Sequence, residues 1–221
     1  RINVNKQLLP IIIFAMSAIA GCGSTEEFSG SGEEFLYTEG IKSINISNWA
    51  RSILIFQQLE AQFPFGQFAE QSQLELIYAY YRNSEPEAAR AAADRFIRLY
   101  PDSESLDYAY YMKGMAYYSE DDRVLGRYLP TDPSKRDPGK ARESFADFSQ
   151  LLNLFPGSRY ATDSRARMVY LKNLLADYEV HVAEFYIERQ AFLSALNRSR
   201  FVVENFQGAP AVPRALEIIA E

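Results

Sequence analysis

Residues 51–64 read RSILIFQQLEAQFP, and the fold turns on this stretch. Counting back from Pro64, the residues at offsets 1, 5, 8 and 12 are Phe63, Leu59, Phe56 and Ser52. That spacing lines four side chains along one face of a helix with 3.6 residues per turn. Proline then ends the helix, because it has no N–H to donate and its ring clashes with the preceding turn. The same pattern returns three times. Tyr100-Pro101, Phe155-Pro156 and a degenerate Phe206-Gln207-Gly208 close comparable segments, at successive spacings of 37, 55 and 51 residues. Offset 5 is filled by Phe96, Leu151 and Val202, and offset 8 by Ala93, Phe148 and Ser199. Offset 12 is Ala89, Ser144 and Ala195, small in every copy, so a neighbouring helix can approach closely there.

An amphipathic segment precedes each of these helices. Leu74, Ile77, Tyr78 and Tyr81 follow i, i+3, i+4, i+7, and Met168, Leu171 and Leu175 do the same within a run over 162–189. Ser84 before Glu85-Pro86, and Asp137 before Pro138, read as N-caps; Asp137 would place the proline at the first helical position. Strand signals are weak throughout. The expectation is an all-α chain, an α-solenoid of about five tetratricopeptide-like helix-turn-helix repeats. The last of these, over 209–221, is read as truncated or incomplete. An insertion at 119–138, with three prolines and a glycine, separates the two helices of the third unit; it is either a partner-contacting loop or a variable insertion. The fourth unit has an extended first helix, or two helices that part near Tyr178.

Outward toward the N-terminus, Arg1 and Lys6 precede a short apolar run, and Ile19-Ala20-Gly21 leads into Cys22, the single cysteine. A positive n-region, an h-region too short for a bilayer span of ~20 residues, and small residues before a cleavage point form a secretory leader over 1–21. The small-small-Cys ending resembles the lipobox of bacterial lipoproteins, which implies lipidation at Cys22; a plain secretory leader ending in cysteine is the competing reading. Residues 22–34 hold no aliphatic side chain and read as a flexible tether, which leaves 35–221 as the repeat domain.

Removing residues 1–21, which carry Arg1 and Lys6 and no acid, takes the net charge from −6 to −8. This argues against nucleic acid as a partner. The charge is uneven: residues 22–122 hold 7 basic and 17 acidic side chains, residues 123–221 hold 14 and 12. Two surfaces with different partners would produce that asymmetry, as would solvated helix faces alone. No catalytic constellation emerges. His181 is the only histidine, and there is no glycine-rich phosphate loop, nucleophile elbow or paired cysteine motif. Glu120-Asp121-Asp122 lacks the alternating ligand spacing of a calcium loop. The expectation is a non-enzyme with no cofactor and no metal. Most of the 15 tyrosines and 15 phenylalanines are read as core, with an aromatic-lined groove for an extended peptide as the alternative.

Several strings carry a more specific likeness. They are Asn48-Trp49, the Phe63-Pro64-Phe65-Gly66 turn, the run 73–81 (QLELIYAYY), 94–99 (DRFIRL), Asp107-Tyr108, Tyr111-Met112-Lys113-Gly114, Arg136-Asp137-Pro138, Phe145 with Asp147-Phe148-Ser149, and 182–186 (VAEFY). With them the chain resembles the BamD (ComL-type) lipoprotein family from its leader to about Phe206. The resemblance implies a lipid-anchored protein of the outer membrane facing the periplasm, in the machine that inserts β-barrel proteins. It implies N-terminal repeats that take the C-terminal signal of an unfolded barrel substrate, with Trp49, Phe63, Phe65, Tyr78 and Tyr81 as candidates. Phe63 stands where the family commonly has tyrosine. C-terminal repeats would dock on the periplasmic part of the barrel subunit BamA and on the lipoproteins BamC and BamE. Arg198, matching an Asn-Arg pair of the family, is the foremost docking candidate, followed by Arg136 and Arg200. Gly23 after Cys22, in place of aspartate, implies sorting to the outer membrane. A periplasmic tetratricopeptide lipoprotein tied to the cell wall is the alternative function.

Overall fold

The computed structural model describes residues 30–118 and 137–220. Cys22, the leader, most of the tether, Arg136 and nearly all of the 119–138 insertion lie outside the described residues. The helices run α1 (Glu33–Asn45), α2 (Trp49–Gln62), α3 (Ala69–Arg82), α4 (Pro86–Leu99), α5 (Leu106–Tyr117), α6 (Gly139–Leu154), α7 (Ala161–Glu188), α8 (Phe192–Asn205) and α9 (Val212–Ala220). There is no strand among the described residues. Each helix packs on the next in sequence, and α3 also touches α1 and α5, as α9 touches α7. This is a helical solenoid of the tetratricopeptide type, with α1/α2, α3/α4, α5/α6 and α7/α8 as successive pairs and α9 opening a fifth.

The offset pattern around each aromatic-proline ending is the core of the array. All twelve residues at offsets 5, 8 and 12 are fully buried, from Leu59, Phe56 and Ser52 in α2 to Val202, Ser199 and Ala195 in α8. The aromatic at offset 1 is the C-cap every time: the N–H groups of Phe63, Tyr100, Phe155 and Phe206 donate to the carbonyls of Leu59, Phe96, Leu151 and Val202. Each inter-repeat turn then repeats one bond, from the N–H of Gly66, Ser103, Ser158 or Ala209 to the capping aromatic's carbonyl at 2.9–3.1 Å.

Helix approach follows side-chain size at offset 8. A Cβ placed on Gly40 of α1 would meet the Phe56 ring at 2.6 Å, and one on Gly114 of α5 would meet the Phe148 ring at 2.7 Å. In the second pair the sizes are exchanged, and Ile77 packs in one cluster with Ala93. In the fourth pair offset 8 is the small Ser199, and Ala183 on α7 packs in one cluster with Ala195 and Val202 of α8. The approach at Gly114 is close enough for the Ser144 hydroxyl on α6 to donate to the Gly114 carbonyl at 2.8 Å.

A carboxylate from the first turn of each early repeat fastens the turn leading into the next. Glu33 Oε1 accepts from the Phe68 N–H at 2.6 Å, Glu70 Oε1 from the Ser103 hydroxyl at 2.6 Å, and Asp107 Oδ2 from the Ser158 hydroxyl at 2.6 Å. Because of this clasp, α1 takes in Glu33 and Glu34, which composition assigns to the tether. The turns inside a repeat are equally regular. Ser47, Ser84 and Gln190 each adopt a left-handed φ of 58–61°. The next N–H reaches the carbonyl five residues back, from Asn48 to Ser43, Glu85 to Tyr80 and Ala191 to Tyr186, which is the double closure of a Schellman ending.

Two local expectations are corrected, and one left open is decided in favour of the extended helix. Ser84 is the left-handed turn residue and Glu85 holds the N-cap position before Pro86. Pro138 itself is the N-cap of α6; Asp137 Oδ1 accepts from the Gly139 N–H at 3.1 Å, a cap set one residue early. The long helix of the fourth unit is continuous over 28 residues, with no break near Tyr178, because Leu175, Ala176, Glu179, Val180 and Ala183 keep one buried face running through that region.

Candidate functional site

The five aromatics read as one substrate site divide between opposite ends of α2 and α3. Trp49 opens α2 and Tyr78 stands near the end of α3. The helices run antiparallel, and the two rings meet edge-on with centroids 5.8 Å apart. Phe63 and Phe65 lie beyond the far end of the 14-residue α2, about 20 Å away at 1.5 Å per residue. Phe65 is 98 % exposed, while Phe63 is half-buried as the C-cap. Tyr81 packs between the α3/α4/α5 cluster and the α5/α6/α7 cluster; its ring joins two repeats. Only Trp49 and Tyr78 therefore form a common surface.

That surface includes a residue sequence reasoning missed. Arg82, the last residue of α3, places its guanidinium 4.4 Å from the Trp49 ring centroid and 5.6 Å from that of Tyr78. Its Nη1 donates to the Tyr78 hydroxyl at 2.6 Å. Aromatics continue into the third and fourth repeats: Tyr160 stacks on Tyr111 with centroids 4.6 Å apart and meets Tyr108 at 5.8 Å. Burial, with Glu75 and the neighbouring phenols, pushes the Tyr108 hydroxyl well above the ordinary tyrosine range. Tyr111 is pushed up to about 12 by burial and by its hydrogen bond to Asp163. Asp163 itself is held below the usual carboxylate range: burial opposes this, but Arg167 and the Tyr111 hydroxyl at 2.7 Å outweigh it.

Between the second and third repeats, Asp147 of α6 is almost wholly buried and pairs with Arg90 of α4 and with Lys113 of α5, whose Nζ is 3.4 Å away. Lys113 also reaches Asp94 at 2.8 Å. Burial pushes the Asp147 carboxyl up despite both cations. Asp94, Lys113 and Asp147 all fall in the family-like strings quoted above, so those strings encode an interlock between repeats.

At the other end of the array, Arg198 lies on α8 with its side chain 45 % exposed, and its Nη1 donates to Glu179 Oε2 at 2.9 Å. Glu179, on α7, is 2 % exposed, and its Oε1 accepts from Arg142 Nη2 of α6 at 3.0 Å. A buried carboxylate thus holds two half-exposed guanidiniums, one from each flanking helix. Arg200 is exposed on α8, and Arg136 lies outside the described residues. His181 stands 3.5 Å from Glu184, which Arg214 holds at 2.9 Å; hydrogen bonding to Arg214 keeps the Glu184 carboxyl below its ordinary range. Among the described residues no helix is long and apolar enough to cross a membrane.

Serial helix pairs that interlock through buried ion pairs, with aromatic and arginine surfaces at opposite ends, define a repeat scaffold of the tetratricopeptide class. Residues 31–221 match the model of a family described as YfiO, outer membrane lipoprotein. The chain belongs to that family. It is 36 % identical over 221 residues to the outer membrane protein assembly factor BamD of Neisseria meningitidis serogroup B, covering 98 % of this chain and 83 % of the relative. It is 35 % identical over 210 residues to that of Vibrio cholerae, covering 95 % and 87 %. It is 33 % identical over 217 residues to that of Xylella fastidiosa strain Temecula1, covering 97 % and 74 %.

Proposed function

We propose that this protein is a non-catalytic scaffold of the outer-membrane β-barrel assembly machine. It is anchored by lipid at Cys22 and faces the periplasm. Its C-terminal repeats bind the barrel subunit BamA, with BamC and BamE as further partners, and its N-terminal repeats receive the C-terminal segments of unfolded barrel proteins. The observation that carries the reading is the near-full-length likeness to outer membrane protein assembly factors. Two surfaces of suitable chemistry support it. Around Trp49 and Tyr78 the chain offers aromatic faces and a cation; around Arg198 it offers two guanidiniums pre-positioned for a partner's carboxylate.

The test is affinity purification of the full chain from mild-detergent membranes, with partners identified by mass spectrometry. BamA recovered in near-stoichiometric amount is the expected result, reduced by Arg198→Glu without loss of helicity. Reproducible absence of BamA from an intact, membrane-bound protein would overturn the reading.

A further inference from the structure

The turns between repeats are built alike, so one can be compared with another. Each closes with an N–H bonded to the capping aromatic's carbonyl, at Gly66, Ser103, Ser158 and Ala209. The residue just before that N–H is Asp102, Gly157 and Gly208 in the second, third and fourth turns, and Phe65 in the first. Three of the four are polar or lack a side chain, as suits a solvated turn. The turn geometry therefore does not call for phenylalanine, yet the Phe65 ring is almost wholly exposed. A slack turn is not the reason. The N–H of Gly66 donates to the Phe63 carbonyl at 3.1 Å, that of Ala69 to Gly66 at 3.2 Å, and that of Phe68 to Glu33 Oε1 at 2.6 Å. A Cβ on Gly66 would run into the same Glu33 carboxylate. The fold holds this ring outward. It does so beside the first residue of α1, the helix that follows the segment carrying Cys22. Cys22 precedes Glu33 by eleven residues, at most about 40 Å of fully extended chain. Each later turn lies at least one repeat further along the array.

We infer that the Phe65 turn dips its ring into the interface of the bilayer that holds the lipid, as a second membrane contact beside the anchor at Cys22. The inference rests on the lipid anchor proposed above and adds the surface that orients the array on the membrane. One ring is too weak to bring a protein to a bilayer, but behind an anchor the contact is intramolecular and its effective concentration is high. The charge pattern selects the lipid. There is no lysine or arginine between Gly30 and Ile41 or between Ser52 and Tyr81. Glu34 and Glu70 are exposed in the first turns of α1 and α3. Anionic headgroups attract basic segments, so this surface gains nothing from them. It fits a zwitterionic phospholipid, with the ring supplying the attraction.

The experiment reconstitutes the full chain, carrying its lipid, in protein-free phosphatidylcholine vesicles. Trp49→Phe removes the only tryptophan, and Phe65→Trp places the reporter in the turn. Phosphatidylcholine brominated high on its acyl chains quenches a ring that lies in the interface. Gly157→Trp in the same background is the control, at the equivalent position of the third turn, where an added carbon meets nothing within 4 Å. Phe65→Trp is expected to show blue-shifted emission and strong quenching, and Gly157→Trp water-like emission and little quenching. The Phe65→Trp signal should fall as phosphatidylglycerol replaces phosphatidylcholine. Water-like emission from Phe65→Trp in a vesicle-bound chain overturns the inference and leaves the anchor standing, as does equal quenching at the two positions. A blue shift that appears only when BamA or an unfolded barrel protein is added assigns the ring to a protein partner and likewise overturns it. Quenching that grows with phosphatidylglycerol overturns the choice of lipid. A chain that does not stay with the vesicles refutes the anchor, and this inference fails with it. Circular dichroism of both tryptophan variants checks the fold, which substitutions at exposed turn positions should not disturb.

Discussion

Replacing Gly114 by alanine tests the size rule that sets how closely paired helices pack. The added carbon would lie 2.7 Å from two atoms of the Phe148 ring and 3.0 Å from a third, against about 3.5–4.0 Å for relaxed carbon contacts. Phe148 cannot simply swing away. It is fully buried and packed with Met115, Tyr118 and Leu171, so either the ring leaves its rotamer or α6 retreats from α5. Overpacking of this kind costs about 1–3 kcal/mol. Alanine recovers about 0.5–1 kcal/mol over glycine in a helix, leaving a net loss of about 0–2.5 kcal/mol. Retreat of α6 would also break the 2.8 Å bond from Ser144 to the Gly114 carbonyl, worth about 1 kcal/mol more. Urea unfolding followed by far-ultraviolet circular dichroism measures the change. Gly157→Ala, where an added carbon meets nothing within 4 Å, is the control and should be near neutral. Phe148→Leu should cost stability alone but rescue Gly114→Ala in the double variant. Gly114→Ala as stable as the control, or strictly additive effects in the double variant, would refute the size rule.

Offset 12 offers a matched series. The Ser144 hydroxyl has the Gly114 carbonyl, whereas that of Ser52 on the corresponding position of α2 has no hydrogen-bond partner among the described residues. Ser144→Ala should therefore lose about 1 kcal/mol and Ser52→Ala should be neutral or stabilising, both read from urea midpoints. Tyr111 gives a pH dependence. Its hydroxyl is pushed up to about 12 by burial and the Asp163 bond, against about 10 in the unfolded chain. The folded state then holds a proton the unfolded state has lost, so the stabilisation is complete below pH ~10 and fades as pH rises through the folded value. The stability gap between wild type and Tyr111→Phe should shrink over that window, and a gap that widens would contradict the assignment. Phe65, at 98 % exposure, should tolerate Phe65→Ser within about 0.5 kcal/mol. A large loss on thermal unfolding would mean the turn packs against something.

The periodic part of the fold was legible because proline and helical spacing are local signals. Twelve offset positions predicted from four helix endings are all fully buried. What escaped depends on the register between helices. Gly40 and Gly114 gain meaning only when set against Phe56 and Phe148, which lie 16 and 34 residues further on. The clasps of Glu33, Glu70 and Asp107 similarly join a first turn to the next repeat, where composition alone reads solvated acid. A list of aromatics does not say which helix end each occupies. Antiparallel packing separated Phe63 and Phe65 from Trp49 and Tyr78. Arg82 was passed over because an arginine at the end of a helix is an ordinary solvated residue until its ring partners are seen.

Glu179 bears on how the proposed docking residue works. A buried acid between Arg142 and Arg198 competes with any partner carboxylate for the same guanidiniums, so its presence needs a reason. Removing its charge by Glu179→Gln leaves both arginines able to hydrate, since their side chains are 55 % and 45 % exposed. The folding cost should therefore fall below the ~3–5 kcal/mol of breaking a fully buried pair. For docking, two effects oppose. The cluster gains one positive charge, which strengthens attraction to an acidic partner, while Arg198 loses the contact that holds it in place, worth about 0.5–1.5 kcal/mol per ordered side chain. The charge gain at an exposed site is about 0.2–1 kcal/mol and is screened over about 8 Å at physiological salt; the loss of pre-positioning is not screened. Glu179→Gln should thus bind the partner as well as wild type at low salt and several-fold more weakly at high salt, with a steeper salt dependence. Equal affinity at high salt would show that Glu179 serves packing of α6, α7 and α8 alone and that Arg198 needs no support to dock.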